Sequence, residues 1–294
     1  MGSNDSPPKA GRVRSVEHVV GLLLLIVIVT LPVVWIIGYS ALYSLGVIGR
    51  FRSGLTFMHW REAFAGQRVG ISIVYSSLVA GVVVGLSTLL SLGLTMLLRR
   101  HRNDRRVLVA LSIPMATPVV VIAFLVYQIF NPGGMLSRLA FHVGVIESPT
   151  DFPTLVNDVW SLGIVMAGLF GVVPLLTIFF LNAWSVTKVD RFLLLAESLG
   201  ANRWQSRMMI IVPMLLNRGR SVILLMFLIQ FGSYEVPLLL GRQSPQMMSV
   251  LTQRRFGQFD LSQRPQAFVI ATAYLMLVGA GVVLLRQMRR RHEA

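Results

Sequence analysis

Few residues in this chain are equipped for covalent chemistry. None of its 294 residues is a cysteine, which removes thiolate nucleophiles, thiolate metal ligands and disulfides. The lysines are Lys9, followed by Ala10, and Lys188, followed by Val189. A phosphate-cradling P-loop needs Gly-Lys-Ser/Thr at that point, so the chain cannot hold ATP in that way. His18, His59, His101, His142 and His292 form no pair at a metal-ligand spacing, and no His-Glu-x-x-His or Gly-x-Ser-x-Gly occurs. What remains is the chemistry of contact, and one passage concentrates it. "LLLAESLGANRWQSRMMIIVPMLL", Leu193 to Leu216, lies between two very apolar regions yet carries Glu197, Ser198, Gly200, Asn202, Arg203, Gln205 and Arg207.

The passage encodes two short helices. Phe192, Leu195 and Leu199 recur at helical spacing and form one apolar stripe. Gly200 stands where that helix ends, as the residue free to take positive φ. Asn202 is a good N-cap, and Gln205, three residues on, can bond back to the cap's backbone amide. The second helix starts at Arg203, with Trp204, Met208 and Ile211 predicted on one face. Pro213 is predicted to break or kink it near the membrane surface. Read from spacing alone, this is equally an ordinary loop with a solvated basic face.

The elements that position this passage are membrane spans. Hydrophobic residues make up 54% of the chain and charged ones 13%, against roughly 25% charged in soluble domains. That apolar excess needs lipid and argues against the nucleic acid that a net charge of +15 could suggest. Six stretches approach the roughly 20 apolar residues a crossing takes: 19–45, 71–98, 107–130, 159–181, 221–240 and 267–285. The first is too long for a cleavable signal's apolar core and is read as a retained span. Placing both termini in the cytoplasm puts Lys9, Arg12 and Arg14, the run "RRHRNDRR" (99–106), Lys188, Arg191, Arg203, Arg207, Arg218, Arg220 and the arginines after 285 on the inside. The outer side receives half as many. The domain reading follows: a tail over 1–18, one transmembrane domain over 19–286 with its cytoplasmic loop at about 186–218, and a basic tail over 287–294.

The loop resembles the EAA loop of the permease subunits of binding-protein-dependent ABC importers. Anchored on Gly200, the pattern puts Ile210, Val212 and Pro213 at its isoleucine, leucine and proline, and "GANRWQ" is similar to its usual continuation. Ala196 matches the second alanine. Leu194 and Leu195 stand where Glu and Ala are expected, and a glutamate follows as Glu197. A second stretch, from Phe231 to Ala273, looks like the Gly-x-x-x-x-Pro-x-x-Leu-Gly-Gly segment of the polyamine, ferric-iron and sulfate branch. Gly232, Pro237, Leu240 and Gly241 match, and Arg242 replaces the second glycine.

The resemblance implies an all-α integral membrane protein of about six transmembrane helices, type I ABC importer permease-like, in the inner membrane of a prokaryote. It implies that Ala196, Glu197, Gly200, Ala201, Asn202, Arg203, Trp204, Arg207, Ile210 and Pro213 couple the chain to a separate ATPase subunit. Trp204 and Met208 would fill that subunit's groove, with Arg203 and Arg207 at its rim; Arg207 equally suits anionic headgroups. The implied partners are two ATP-binding cassette subunits holding ATP and Mg, a second, related permease and an extracytoplasmic solute-binding protein. This chain would bind no cofactor and would not be an enzyme. Polyamine, metal chelate, oxyanion and sugar-like solutes all stay open. The alternative class is an ion-gradient-driven secondary transporter, which would call for intramembrane acids, broken helices in matching halves, or inverted repeats.

Three further features carry expectations. Gln230, Ser233, Tyr234 and Glu235, at the outer end of span five, are candidates for the translocation path; Glu235 could instead pair with Arg242. Gly81-x-x-x-Gly85 is a close-packing spacing, within the chain or against a partner permease. Met135 to Val143, after the turn signal Asn131-Pro132-Gly133-Gly134, is predicted to be a short interfacial helix.

Overall fold

A computed structural model describes residues 10–49, 54–102, 104–258 and 263–290. Lys9 with the residues before it, Arg50, Arg52, and the tail from Arg291 with His292 lie outside the described residues. Every regular element among the described residues is a helix: α1 (Ala10–Ser44), α2 (Met58–Ala65), α3 (Arg68–Leu98), α4 (Arg105–Ala116), α5 (Val119–Phe130), α6 (Met135–His142), α7 (Leu162–Val186), α8 (Val189–Ser198), α9 (Arg203–Gln205), α10 (Val212–Phe231), α11 (Glu235–Leu240), α12 (Met248–Phe256) and α13 (Arg264–Arg290). A π turn, Ser206–Ile211, joins α9 to α10. Among the described residues six stretches are long and apolar enough to cross a membrane: Leu23–Ser44, Arg68–His101, Val119–His142, Leu162–Val186, Arg203–Phe231 and Arg264–Leu284.

The bundle is organised around α7, which packs against α3, α4, α5, α10 and α11. Its inner face carries Leu176, Phe180 and Trp184, all fully buried. Neighbouring helices approach closely where a side chain is missing. A Cβ at Gly219 would lie 2.6 Å from Phe180 Cε1, and one at Gly168 2.6 Å from Val83 Cγ1. Pro174 sits inside α7, and Ser91 of α3 donates to the adjacent Val173 carbonyl at 2.9 Å. The first helix is peripheral. It packs on α13 through a Ser40–Thr272 hydroxyl pair at 3.0 Å and a Tyr43–Phe268 stack, and leaves nearly all its apolar residues for lipid.

The structure moves two predicted spans and one predicted face. The run 107–130 is two helices broken at Thr117-Pro118, because the residue before a proline is pushed out of the helical region; both pieces pack on α7. The fifth crossing covers Arg203–Phe231 rather than 221–240, since the chain turns at Gly232 and restarts as the short α11. Gly81 and Gly85 face outward with nothing within 4 Å of an added Cβ. They make no close packing within the chain, and the buried face of α3 is instead Ser72, Ser76, Ala80, Val83, Ser87 and Ser91. The short helix after Gly134 forms as predicted, over Met135–His142.

Candidate functional site

The polar passage folds as a helical hairpin whose joint is fully specified by local hydrogen bonds. At the end of α8 the Ala201 N–H donates to Ala196 O and the Gly200 N–H to Glu197 O, both at 3.0 Å. This is the glycine-terminated C-cap arrangement, with Gly200 at φ +81°. Asn202 then caps α9. Its Oδ1 accepts from the Gln205 N–H at 2.8 Å, and its own N–H donates to Gln205 Oε1 at 3.0 Å. Both bonds are those the sequence predicts from Asn202 and Gln205.

Pro213 does not break the second helix. The ring has no N–H and would clash with the carbonyl four residues back in an α-helix. The chain widens into the π turn instead, with the Val212 N–H donating to Arg207 O, five residues back. The helix from Arg203 to Phe231 is therefore continuous over 29 residues, roughly 43 Å at 1.5 Å per residue. The inserted turn also changes which side chains share a face. Ile211 is buried, whereas Trp204 and Met208, predicted to lie beside it, are exposed.

The first arm also turns an apolar row outward. Its buried row is Val189, Leu193 and Ala196, and the predicted stripe of Phe192, Leu195 and Leu199 faces out. Leu199 is 88% exposed and Trp204 64%. Leu194 and Leu195, which depart from the EAA pattern, are exposed as well. The hairpin thus presents apolar side chains on both arms with nothing of its own chain over them.

The base of the hairpin is pinned to the bundle by residues the sequence did not single out. Asp190, in the first turn of α8, accepts from Trp184 Nε1 at 3.1 Å and meets Arg102 Nη1 at 3.3 Å. The Arg99 guanidinium sits 5.5 Å from the centre of the Trp184 ring. The signal available was one carboxylate downstream of a run of arginines, and nothing local says that the two meet. Behind the hairpin a cleft of about 220 Å3 is lined by Glu197, Arg99, Arg100, Arg203, Ser206 and Arg207 among others. Glu197 and Arg207 therefore face a shared polar space rather than the exposed apolar surface.

The other candidates lie at the opposite end of the same rod. Gln230 reaches towards Gly168 of α7, Tyr274 lies over Gly232, and the Ser233 carbonyl accepts from Ser249 Oγ. Tyr234 is half-buried, and Glu235 is exposed as the first residue of α11. Arg242 donates to the Ser244 carbonyl rather than to Glu235. No cluster of three or more metal-ligating side chains occurs among the described residues.

Helices, hairpin and spans together define an all-α fold with six candidate crossings. The chain shares it with a chain of a bacterial ABC transporter involved in the import of the acidic polysaccharide alginate, at a TM-score of 0.61 and 16% sequence identity, over 96% of each chain. The all-α fold of about six crossings that the resemblance implies is therefore the fold observed. No protein family model matches the sequence, and no curated protein matches it significantly.

Proposed function

We propose that this chain is a permease subunit of an ATP-driven importer, lining a solute path and receiving work from a separate ATPase through residues 194–213. The observation that carries the reading is the hairpin: an exposed apolar face on two short helices, joined by a fixed turn and continuous with a membrane span. A surface of this kind suits a groove on another protein. The fold likeness to a chain of an alginate-importing ABC transporter supplies the kind of partner. A rigid joint can transmit a displacement, and the unbroken helix from Arg203 carries it to Gln230 and Gly232.

In this reading Leu199, Trp204 and Met208 seat in the ATPase groove, with Leu194 and Leu195 enlarging the apolar contact. Arg203 borders it. Glu197 and Arg207 stabilise the hairpin from behind. ATP and Mg reside on two ATPase subunits, and a second, related permease completes the path. A solute-binding protein delivers cargo at the far side of the prokaryotic inner membrane, and both termini are cytoplasmic. The test is co-purification from mild detergent: stoichiometric ATPase subunits are expected. A chain that purifies alone and supports ion-driven uptake in vesicles without ATP would refute the proposal.

A further inference from the structure

At the end of α3 remote from the hairpin, a cavity of about 380 Å3 opens between the first turns of α3 and α13 and the helix α12. α3 is 31 residues long, so the two sites are separated by roughly 46 Å of helix. On the importer reading, this is the side from which solute arrives. The cavity is lined by three guanidinium groups, from Arg68, Arg254 and Arg255, and by carboxamides that include Gln243, Gln246 and Gln266. No carboxylate lines it among the described residues.

The polar groups there are occupied in a lopsided way. Arg254 donates to Gln243 Oε1, and Arg255 Nη1 donates to Gln266 Oε1 at 3.1 Å. Each guanidinium has five N–H donors, so one such bond leaves most of its capacity unspent. The Gln246 side chain is 9% exposed, and its Nε2 has no hydrogen-bond partner. Burial and the like charge of Arg68 disfavour the charged form of Arg255 and lower its pKa from the ordinary value. The unspent groups are donors and the uncompensated charge is positive. An anion rich in acceptor oxygens would answer both deficits, whereas a polyamine or another cation would worsen them.

We propose that this cavity is an anion site on the outer side of the solute path, and that the cargo carries a carboxylate, sulfate or phosphate group. The proposal rests on the importer reading for the word cargo; the site itself does not need it.

Binding of glucuronate, sulfate and inorganic phosphate to the full chain in phosphatidylcholine nanodiscs, measured calorimetrically at fixed chloride, tests it. At least one anion should bind saturably and spermidine should not. Arg255→Gln and Gln246→Leu should each weaken that binding by about tenfold or more, the usual loss for a hydrogen bond to a charged group. Arg254 is exposed, so Arg254→Gln supplies a third variant should Gln246→Leu fail to fold. Asp190→Asn, at the opposite end of the bundle, should leave the affinity unchanged.

Three results would overturn the proposal: no saturable anion binding; affinities untouched by all three cavity variants; or binding of phosphatidylglycerol headgroups with no soluble anion bound, meaning that the site serves lipid. None of these depends on the ATPase. Failure here is therefore distinct from failure of the co-purification test.

Discussion

The indole N–H of Trp184 donates to Asp190 Oδ1 at 3.1 Å, joining the largest fully buried side chain of the bundle to the first turn of the exposed hairpin. Asp190 also meets Arg102, but both of those side chains are substantially exposed. Such pairs contribute under about 1 kcal/mol, whereas a buried donor left without an acceptor costs about 1–3 kcal/mol. The Trp184 bond should therefore dominate. Asp190→Asn, which keeps an acceptor oxygen, should stay near wild type in thermal unfolding in detergent. Asp190→Ala should be destabilised by about 1–3 kcal/mol. Equal losses in the two variants would show that the ion pair matters more.

Gly200 has open space around it, so its constraint is the backbone alone. The left-handed conformation costs an ordinary residue about 1–2 kcal/mol, and Asn tolerates it better. Gly200→Val should insert normally but lose transport or the ATPase subunit, and Gly200→Asn should retain most of both. Full transport by Gly200→Val would remove the turn from the mechanism.

Leu199 and Trp204 touch little of their own chain. Exposed substitutions of this kind usually shift stability by less than about 0.5 kcal/mol. Leu199→Asp and Trp204→Ala should therefore leave the melting temperature unchanged while ATPase subunits are lost from pull-downs. A matching fall in stability would mean that the two residues hold the hairpin together rather than dock it.

Pro213→Ala restores a backbone donor and should let the π turn relax to α-helix. Each residue turns an α-helix by about 100°, so removing the extra residue swings Trp204 and Met208 around the rod. Coupled ATPase activity should fall several-fold with stability equal or higher. Unchanged coupling would mean that the register set by the π turn is immaterial.

The joint of the hairpin was legible because it is local. Asn202 and Gln205 satisfy each other, Gly200 closes the turn before them on Glu197, and their types alone name the geometry. Orientation was not legible. Phe192, Leu195 and Leu199 announce a helix with an apolar side, but the sequence does not say whether that side meets the bundle or a missing partner. Pro213 signals a break or a kink because a proline forbids the α-helical bond, and a π turn meets that prohibition without ending the helix. Thr117-Pro118 did carry its break in the sequence, and the apolar run around it outweighed the signal. The remaining gaps are tertiary: Asp190 reaches Arg102 across 88 positions, and Arg68 shares a cavity with Arg254 and Arg255.

The unbroken helix from Arg203 to Phe231 has a thermodynamic corollary. If one rigid body carries both the ATPase contact and the path-facing residues, the two sites cannot be tuned independently. Whatever factor nucleotide imposes on solute affinity, solute must impose on nucleotide affinity. An importer built this way would sense its cargo through the same helix that moves it, and an occupied path would be felt at Trp204 before any ATP is split.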